Sequence, residues 1–190
     1  LTAVADVDSD VVAESQKLFG FRETYTDYRE MLEKSELDAV VLLLPTFLHK
    51  QATIDCLEAG VSVLCEKPPT STYAEMLEVA DVARKSRGQY MFIRQSRFAP
   101  NVQAARKMVL DGTLGQVYGG EAQWIRSRGK QIRGNAWRSE KDKGGGVMLD
   151  LGVHGIDQAW FVMGCPRPVE VMAATHVAFG HFADSPDSYT

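Results

Sequence analysis

Residues 1–95 alternate short apolar runs with helix-length amphipathic segments, and no other feature of the 190-residue chain limits its fold as strongly. Leu1–Val7 reads as a strand, followed by a helix that Ser9 or Asp10 caps and that runs to Phe19 before Gly20. Asp27 caps a second short helix over Tyr28–Lys34. Ala39–Leu44, rich in Val and Leu, reads as a fully buried strand stopped by Pro45, and Lys50–Glu58 as a helix that ends at Gly60. Val61–Cys65 is another buried strand; Thr70 or Ser71 caps a helix over Ala74–Arg87, and Gly88 precedes a strand over Tyr90–Gln95. Parallel strands need crossovers, usually helical and right-handed, so the pattern predicts an α/β fold with a doubly wound parallel sheet.

Near Ser96 the alternation stops. Val102, Ala105, Met108, Val109 and Leu110 share one helical face, and Asp111-Gly112 ends that helix. Gln116–Ser127 alternates as a strand does, a helix begins near Gly146, and Val169–Phe179 reads as a further strand. The chain therefore divides into residues 1–95 and an α+β part over residues 96–190.

A formal net charge of -4 and a pI near 5.6 argue against nucleic acid and anionic membrane as partners, since both attract basic surfaces. The longest apolar run, Ala39–Leu44, is far shorter than the ~20 residues that cross a bilayer, and no charged-then-apolar leader opens the chain. The chain reads as soluble. Cys56, Cys65 and Cys165 are odd in number and lack metal-ligand clustering, which predicts buried thiols in a reducing compartment, without disulfide or metal. Opening on a strand-like segment with no initiator methionine, the chain reads as a piece of a longer protein, and it contains no G-x-G-x-x-G phosphate loop.

Two segments carry chemistry. Within Gly144–Asp157 a glycine turn precedes Asp150 and His154, which share one face of a helix starting near Gly146. A carboxylate close to an imidazole fixes its tautomer and raises its basicity, as proton transfer near neutral pH requires. A solvated surface pair fits the same spacing. In Val61–Pro69 a buried parallel strand ends in Glu66, Lys67 and Pro68. Ligands of open α/β sheets bind beyond the carboxyl ends of strands, which sets Lys67 in a cofactor crevice; a loop lysine ahead of a proline stop is the alternative.

Together, Ala5-Asp6-Val7-Asp8, Leu37-Asp38-Ala39-Val40, Pro45-Thr46-Phe47-Leu48-His49, Glu66-Lys67-Pro68, Arg97-Phe98-Ala99-Pro100, Trp137-Arg138 and the Gly144–Asp157 block resemble one family in content and order. It is the glucose-fructose oxidoreductase, inositol dehydrogenase and rhizopine-catabolism family of nicotinamide-dependent sugar oxidoreductases. The resemblance implies a Rossmann-type NAD(P)-binding domain, truncated at its N-terminus, over residues 1–95. It also implies part of an α+β substrate and dimerisation domain with an open sheet over residues 96–190. The reaction implied is hydride transfer between a nicotinamide cofactor and a secondary alcohol of a sugar or polyol, in a cytoplasmic protein that is a homo-oligomer when full-length. Without the phosphate loop, the piece itself is expected to be inactive and to bind little cofactor.

By the same likeness His154 accepts the proton, Asp150 orients it or contacts the substrate, and Lys67 stabilises charge at the reacting oxygen. Lys67 comes from the first domain and the Asp-His pair from the second, so the site is expected where the two meet. Asp6 accepts hydrogen bonds from the ribose hydroxyls and Val7 adds no charge for a 2′-phosphate, which favours NAD over NADP; a plain polar strand end is the alternative. Pro45, Thr46 and His49 match the family's cofactor loop after a strand, with Thr where Asn is usual, although His49 as a bare residue reads as a surface position at a helix start. Glu66 and Gln95 fall at the nicotinamide end. Trp137 and Arg138 reach cofactor or substrate, with simple packing the alternative for Trp137. Arg126, Arg128, Lys130, Arg133 and Arg138 form a basic stretch that attracts an acidic sugar or is a solvated loop. Two other functions stay open: an NAD-dependent glycosidase of the same fold, and a non-catalytic sugar- or dinucleotide-sensing regulator. The intact Lys67, Asp150 and His154 argue against the regulator.

Overall fold

The computed structural model describes residues 1–125, 137, 143 and 145–176. The chain divides into two compact units, one holding Leu1–Leu44, Leu48–Glu66 and Tyr73–Phe92, the other Pro45–Phe47, Lys67–Thr72 and Ile93–Thr190.

In the first unit the order is β1 (Ala3–Ala5), α1 (Ser9–Phe19), β2 (Glu23–Tyr25), α2 (Tyr28–Lys34), β3 (Ala39–Leu42), α3 (Thr46–Glu58), β4 (Ser62–Cys65), α4 (Tyr73–Lys85) and β5 (Tyr90–Phe92). Every pairing is parallel. Ala3 of β1 lies opposite Glu23 of β2, and β3, β4 and β5 form a second sheet in which Val63 pairs with both Val40 and Tyr90. Local chemistry sets the helix ends. The Asp8 carboxylate, one residue before the expected caps, accepts from the Asp10 N–H at 2.9 Å, and Gly20 closes α1 in the left-handed region at φ 72. Asp27 does the same for α2, accepting from the Arg29 N–H at 2.8 Å. Strand β2 was not expected; three residues of mixed polarity are too few for alternation to register.

Val40 and Leu42 of β3, Val63 and Cys65 of β4 and Ala52, Cys56 and Leu57 of α3 build the core of this unit. Burial of β3 is one-sided, contrary to the expected double burial: successive side chains point to opposite faces, and Val41 is 55% exposed. A Cβ on Gly88 would lie 2.5 Å from the Val61 carbonyl oxygen, so the chain can pass this close ahead of β5 only with glycine there.

In the second unit a 3-10 turn (Gln95–Phe98) leads into α5 (Pro100–Leu110), whose first helical position is Pro100, where a missing N–H has no helical partner to lose. A π-helical turn (Met148–Gly152) continues directly into α6 (Val153–Val162), which packs on α5. The strand expected over Tyr90–Gln95 thus stops at Phe92, since Gln95 already turns. Among the described residues no strand forms beyond Phe92. Residues 116–125 and 169–176 alternate in sequence, but a strand exists only through a ladder partner, and neither segment has one among the described residues. Their continuations, residues 126–127 and 177–179, lie outside the described residues. No helix among the described residues is long and apolar enough to cross a membrane.

Candidate active site

Strand β4 delivers Glu66 and Lys67 at its carboxyl end. The Glu66 N–H donates to the Leu42 carbonyl at 2.9 Å, extending the β3–β4 ladder by one residue, and the Glu66 carbonyl accepts from the Cys65 thiol at 3.3 Å. The Lys67–Pro68 peptide bond is cis. Lys67 belongs with the second unit, where its Nζ donates to the Asp150 backbone carbonyl at 2.7 Å and to Asp150 Oδ1 at 3.2 Å. The lysine side chain is 18% exposed and the aspartate's 11%, so little water screens their attraction. Two motif segments 83 residues apart thus meet through one ammonium group.

Asp150 sits in the π-helical turn, and its N–H bonds the carbonyl of Gly146, whose φ of 109 only glycine adopts readily. π-Turns inside helices recur at functional sites because they re-aim side chains. One turn on, His154 is the second residue of α6. Its ring stacks on Trp124, with centroids 5.1 Å apart and planes 24° from parallel. Trp137 meets Phe47 edge-on at 6.4 Å. Neither Trp124 nor Phe47 was singled out from sequence, since a lone aromatic in an alternating or helical segment carries no signal of what it will stack against.

The remaining expected residues scatter between the units. Asp6 follows β1; its N–H donates to the Tyr25 carbonyl at 3.3 Å and its Oδ1 accepts from the Asp8 N–H at 2.9 Å, an Asx-type turn that leaves Val7 93% exposed. Helix α3 begins at Thr46, directly behind Pro45, so Thr46 and His49 are helical and not loop residues. His49 is also not at the surface. It is 1% exposed, and its Nε2 donates to the Leu44 carbonyl at 2.7 Å, satisfying a carbonyl that has left the β3 ladder. Gln95 opens the 3-10 turn. Arg138, like Arg126, Arg128, Lys130 and Arg133, lies outside the described residues. A groove of about 370 Å³ between α5 and α6 is lined by Val102, Val109, Ala159 and Met163 among others, but by none of Lys67, Asp150 or His154. Among the described residues no group of His, Cys, Asp and Glu could hold a metal ion.

A family model described as the oxidoreductase family with an NAD-binding Rossmann fold matches residues 1–93, and that of the GFO/IDH/MocA C-terminal domain matches residues 102–189. The chain belongs to the Gfo/Idh/MocA oxidoreductase family. This Gfo/Idh/MocA chain is 32% identical over 180 residues to D-glucoside 3-dehydrogenase of Escherichia coli (strain K12), a match covering 95% of the chain and 51% of the relative. It is 25% identical over 176 residues to levoglucosan dehydrogenase of Pseudarthrobacter phenanthrenivorans, covering 92% and 45%. An oxidoreductase domain protein from Kribbella flavida superposes with a TM-score of 0.77 at 33% identity, covering 86% of this chain and 44% of that one. A solved levoglucosan dehydrogenase in complex with NADH and levoglucosan superposes with a TM-score of 0.71 at 25% identity, covering 86% and 44%. The chain spans about half the length of the curated relatives it matches.

Proposed function

We propose that the intact protein transfers a hydride between NAD and a secondary alcohol of a sugar or polyol, with Lys67, Asp150 and His154 as its catalytic residues. The observation that carries this reading is the shielded Lys67–Asp150 pair, which joins the Glu-Lys-Pro segment to the helix bearing His154. The Gfo/Idh/MocA relatives named as dehydrogenases of a glucoside and of levoglucosan support the substrate class.

When bound, the nicotinamide ring supplies the hydride acceptor. The alcohol must also lose its hydroxyl proton, and the His154 imidazole accepts it at a ring nitrogen. Lys67 donates a hydrogen bond to the same oxygen as negative charge develops there. Asp150 holds the ammonium of Lys67 from two directions, through its carbonyl and its carboxylate, and so fixes where that positive charge stands. Trp124 covers one face of the His154 ring and restricts its rotation.

On the cofactor side, the residues present fit the adenosine end of NAD. A carboxylate stands just past β1, and Val7 brings no cation for a 2′-phosphate, which supports NAD over NADP. No G-x-G-x-x-G occurs in these 190 residues. In this reading Glu66 and Gln95 border the nicotinamide end, Pro45 and Thr46 border the cofactor, His49 supports them through the Leu44 carbonyl, and Trp137 and Arg138 border cofactor or substrate. The protein works as a cytoplasmic homo-oligomer on a small molecule, with residues 1–95 serving the dinucleotide and residues 96–190 the substrate.

The test is steady-state kinetics of the intact protein with NAD and a panel of sugars and polyols. Net NADH formation from a free sugar is expected, which a glycosidase does not give. His154→Ala should lower kcat by about 10² to 10⁴ with NAD affinity unchanged. Unchanged kcat in the Lys67, Asp150 and His154 variants would refute the assignment.

A further inference from the structure

Arg97, from the Arg-Phe-Ala-Pro segment, and Asp157 take no part in the chemistry above, yet they meet. Arg97 Nε donates to Asp157 Oδ2 at 2.8 Å and its Nη2 to Oδ1 at 2.5 Å, a two-pronged contact between side chains that are each 16% exposed. Arg94 Nη1 stands 3.8 Å from the same carboxylate. The Arg97 guanidinium also lies 4.7 Å above the Phe161 ring and 5.7 Å from that of Trp160. Arg106 covers Phe161 at 4.2 Å and donates to the Phe161 carbonyl near the end of α6.

These contacts fall along one side of α6. Asp157 comes three residues after His154, and Trp160 and Phe161 come three and four residues after Asp157, spacings that place side chains next to one another on successive turns. A planar guanidinium gripping both carboxylate oxygens fixes direction as well as distance, which an ammonium cannot do. Rotating α6 about its axis would break both bonds and lift Arg97 off the aromatic rings. Pinned in this way, the helix presents His154 in one orientation, with its ring on Trp124. We propose that Arg97 and Asp157 are a positioning pair that sets the rotation of α6 and thereby the orientation of the His154 imidazole. The proposal rests on the reading of His154 as proton acceptor.

The test uses the intact protein and its Arg97→Lys and Asp157→Asn variants, with two readouts. The first is the imidazole NMR spectrum of His154 in histidine-labelled protein, assigned with His154→Gln. The second is the pH profile of NADH formation on whichever sugar or polyol of the panel the wild type oxidises. A misplacement of about 1 Å can cost about 100-fold in rate. The expected result is moved His154 ring signals, a displaced acid limb and kcat lowered at least about tenfold in both variants, with the KM for NAD unchanged. Folded variants whose His154 signals and acid limb coincide with the wild type's would overturn the proposal, even if activity fell. If no sugar or polyol of the panel is oxidised, the functional reading fails and the ring signals alone decide the positioning pair. If Asp157→Asn does not fold, Arg97→Lys decides; loss of folding in both would make the contact a stability element and overturn it as well.

Discussion

Replacing Lys67 by Met tests the centre of the site without any substrate. The Lys67 ammonium makes two hydrogen bonds to Asp150, at 2.7 and 3.2 Å, between side chains 18% and 11% exposed. Removing one partner of a fully buried ion pair costs about 3–5 kcal/mol, because the other charge is left in low dielectric. Residual solvent access and the packing that the methionine stem keeps reduce the expectation for Lys67→Met to about 2–3 kcal/mol. Asp150→Asn removes the charge and keeps the carbonyl contact, so it should cost less, about 1–2 kcal/mol. The double variant should cost less than the two single ones together, with a coupling of about 1–2 kcal/mol, since each single change removes the same interaction. Urea titration of the four proteins, with the slope of unfolding free energy against denaturant shared across the set, gives the cycle directly. Additivity within about 0.5 kcal/mol would mean that the contact carries no energy and that Asp150 does not hold Lys67.

Titration of the intact protein with both cofactors should give NAD binding at least about tenfold tighter than NADP, a difference of roughly 1.4 kcal/mol; Asp6→Ser should narrow the gap, and equal or tighter NADP binding would refute the role of Asp6. Burial pushes the Cys56 thiol from 9.0 up to about 11 and the Cys65 thiol from 9.0 up to about 12. The folded chain therefore keeps protons that the unfolded chain releases above pH 9, so stability should be unaffected by these thiols below pH 9 and fall as pH rises from 9 towards 12. Urea midpoints across that range, with Cys56→Ala and Cys65→Ala flattening the decline, check the sign; stability rising over the same range would contradict it.

Much of the first unit was legible because each element announced its own ends. Asp27 and Gly20 cap helices through contacts within a few residues, which a sequence displays. The start of α3 was hidden. Pro45 reads as a stop, Thr46 lacks the Glu or Gln three residues on that would complete a capping box, and the burial of His49 goes with a bond to the Leu44 carbonyl that no local pattern displays. Residues 116–125 and 169–176, expected as parts of strands, form none among the described residues, since alternation marks a segment that can pair but does not itself supply a ladder partner. At the candidate site, motif order singled out Lys67, Asp150 and His154, and of these Lys67 and Asp150 are joined by hydrogen bonds. The contacts around them were not legible: the Trp124–His154 stack and the Arg97–Asp157 ion pair join positions tens of residues apart, and no local pattern encodes such pairs.

The hydride itself can be followed from substrate to cofactor by isotope. Incubating the intact protein with NAD and a sugar or polyol deuterated at its carbinol carbon, then weighing the NADH formed by mass spectrometry, reports transfer from substrate carbon to cofactor. The NADH formed by the wild type should carry deuterium, with the rate of incorporation lowered by about 10² to 10⁴ in His154→Ala and a similar loss in Lys67→Ala. Deuterium appearing in the NADH of both variants at the wild-type rate would contradict that expectation.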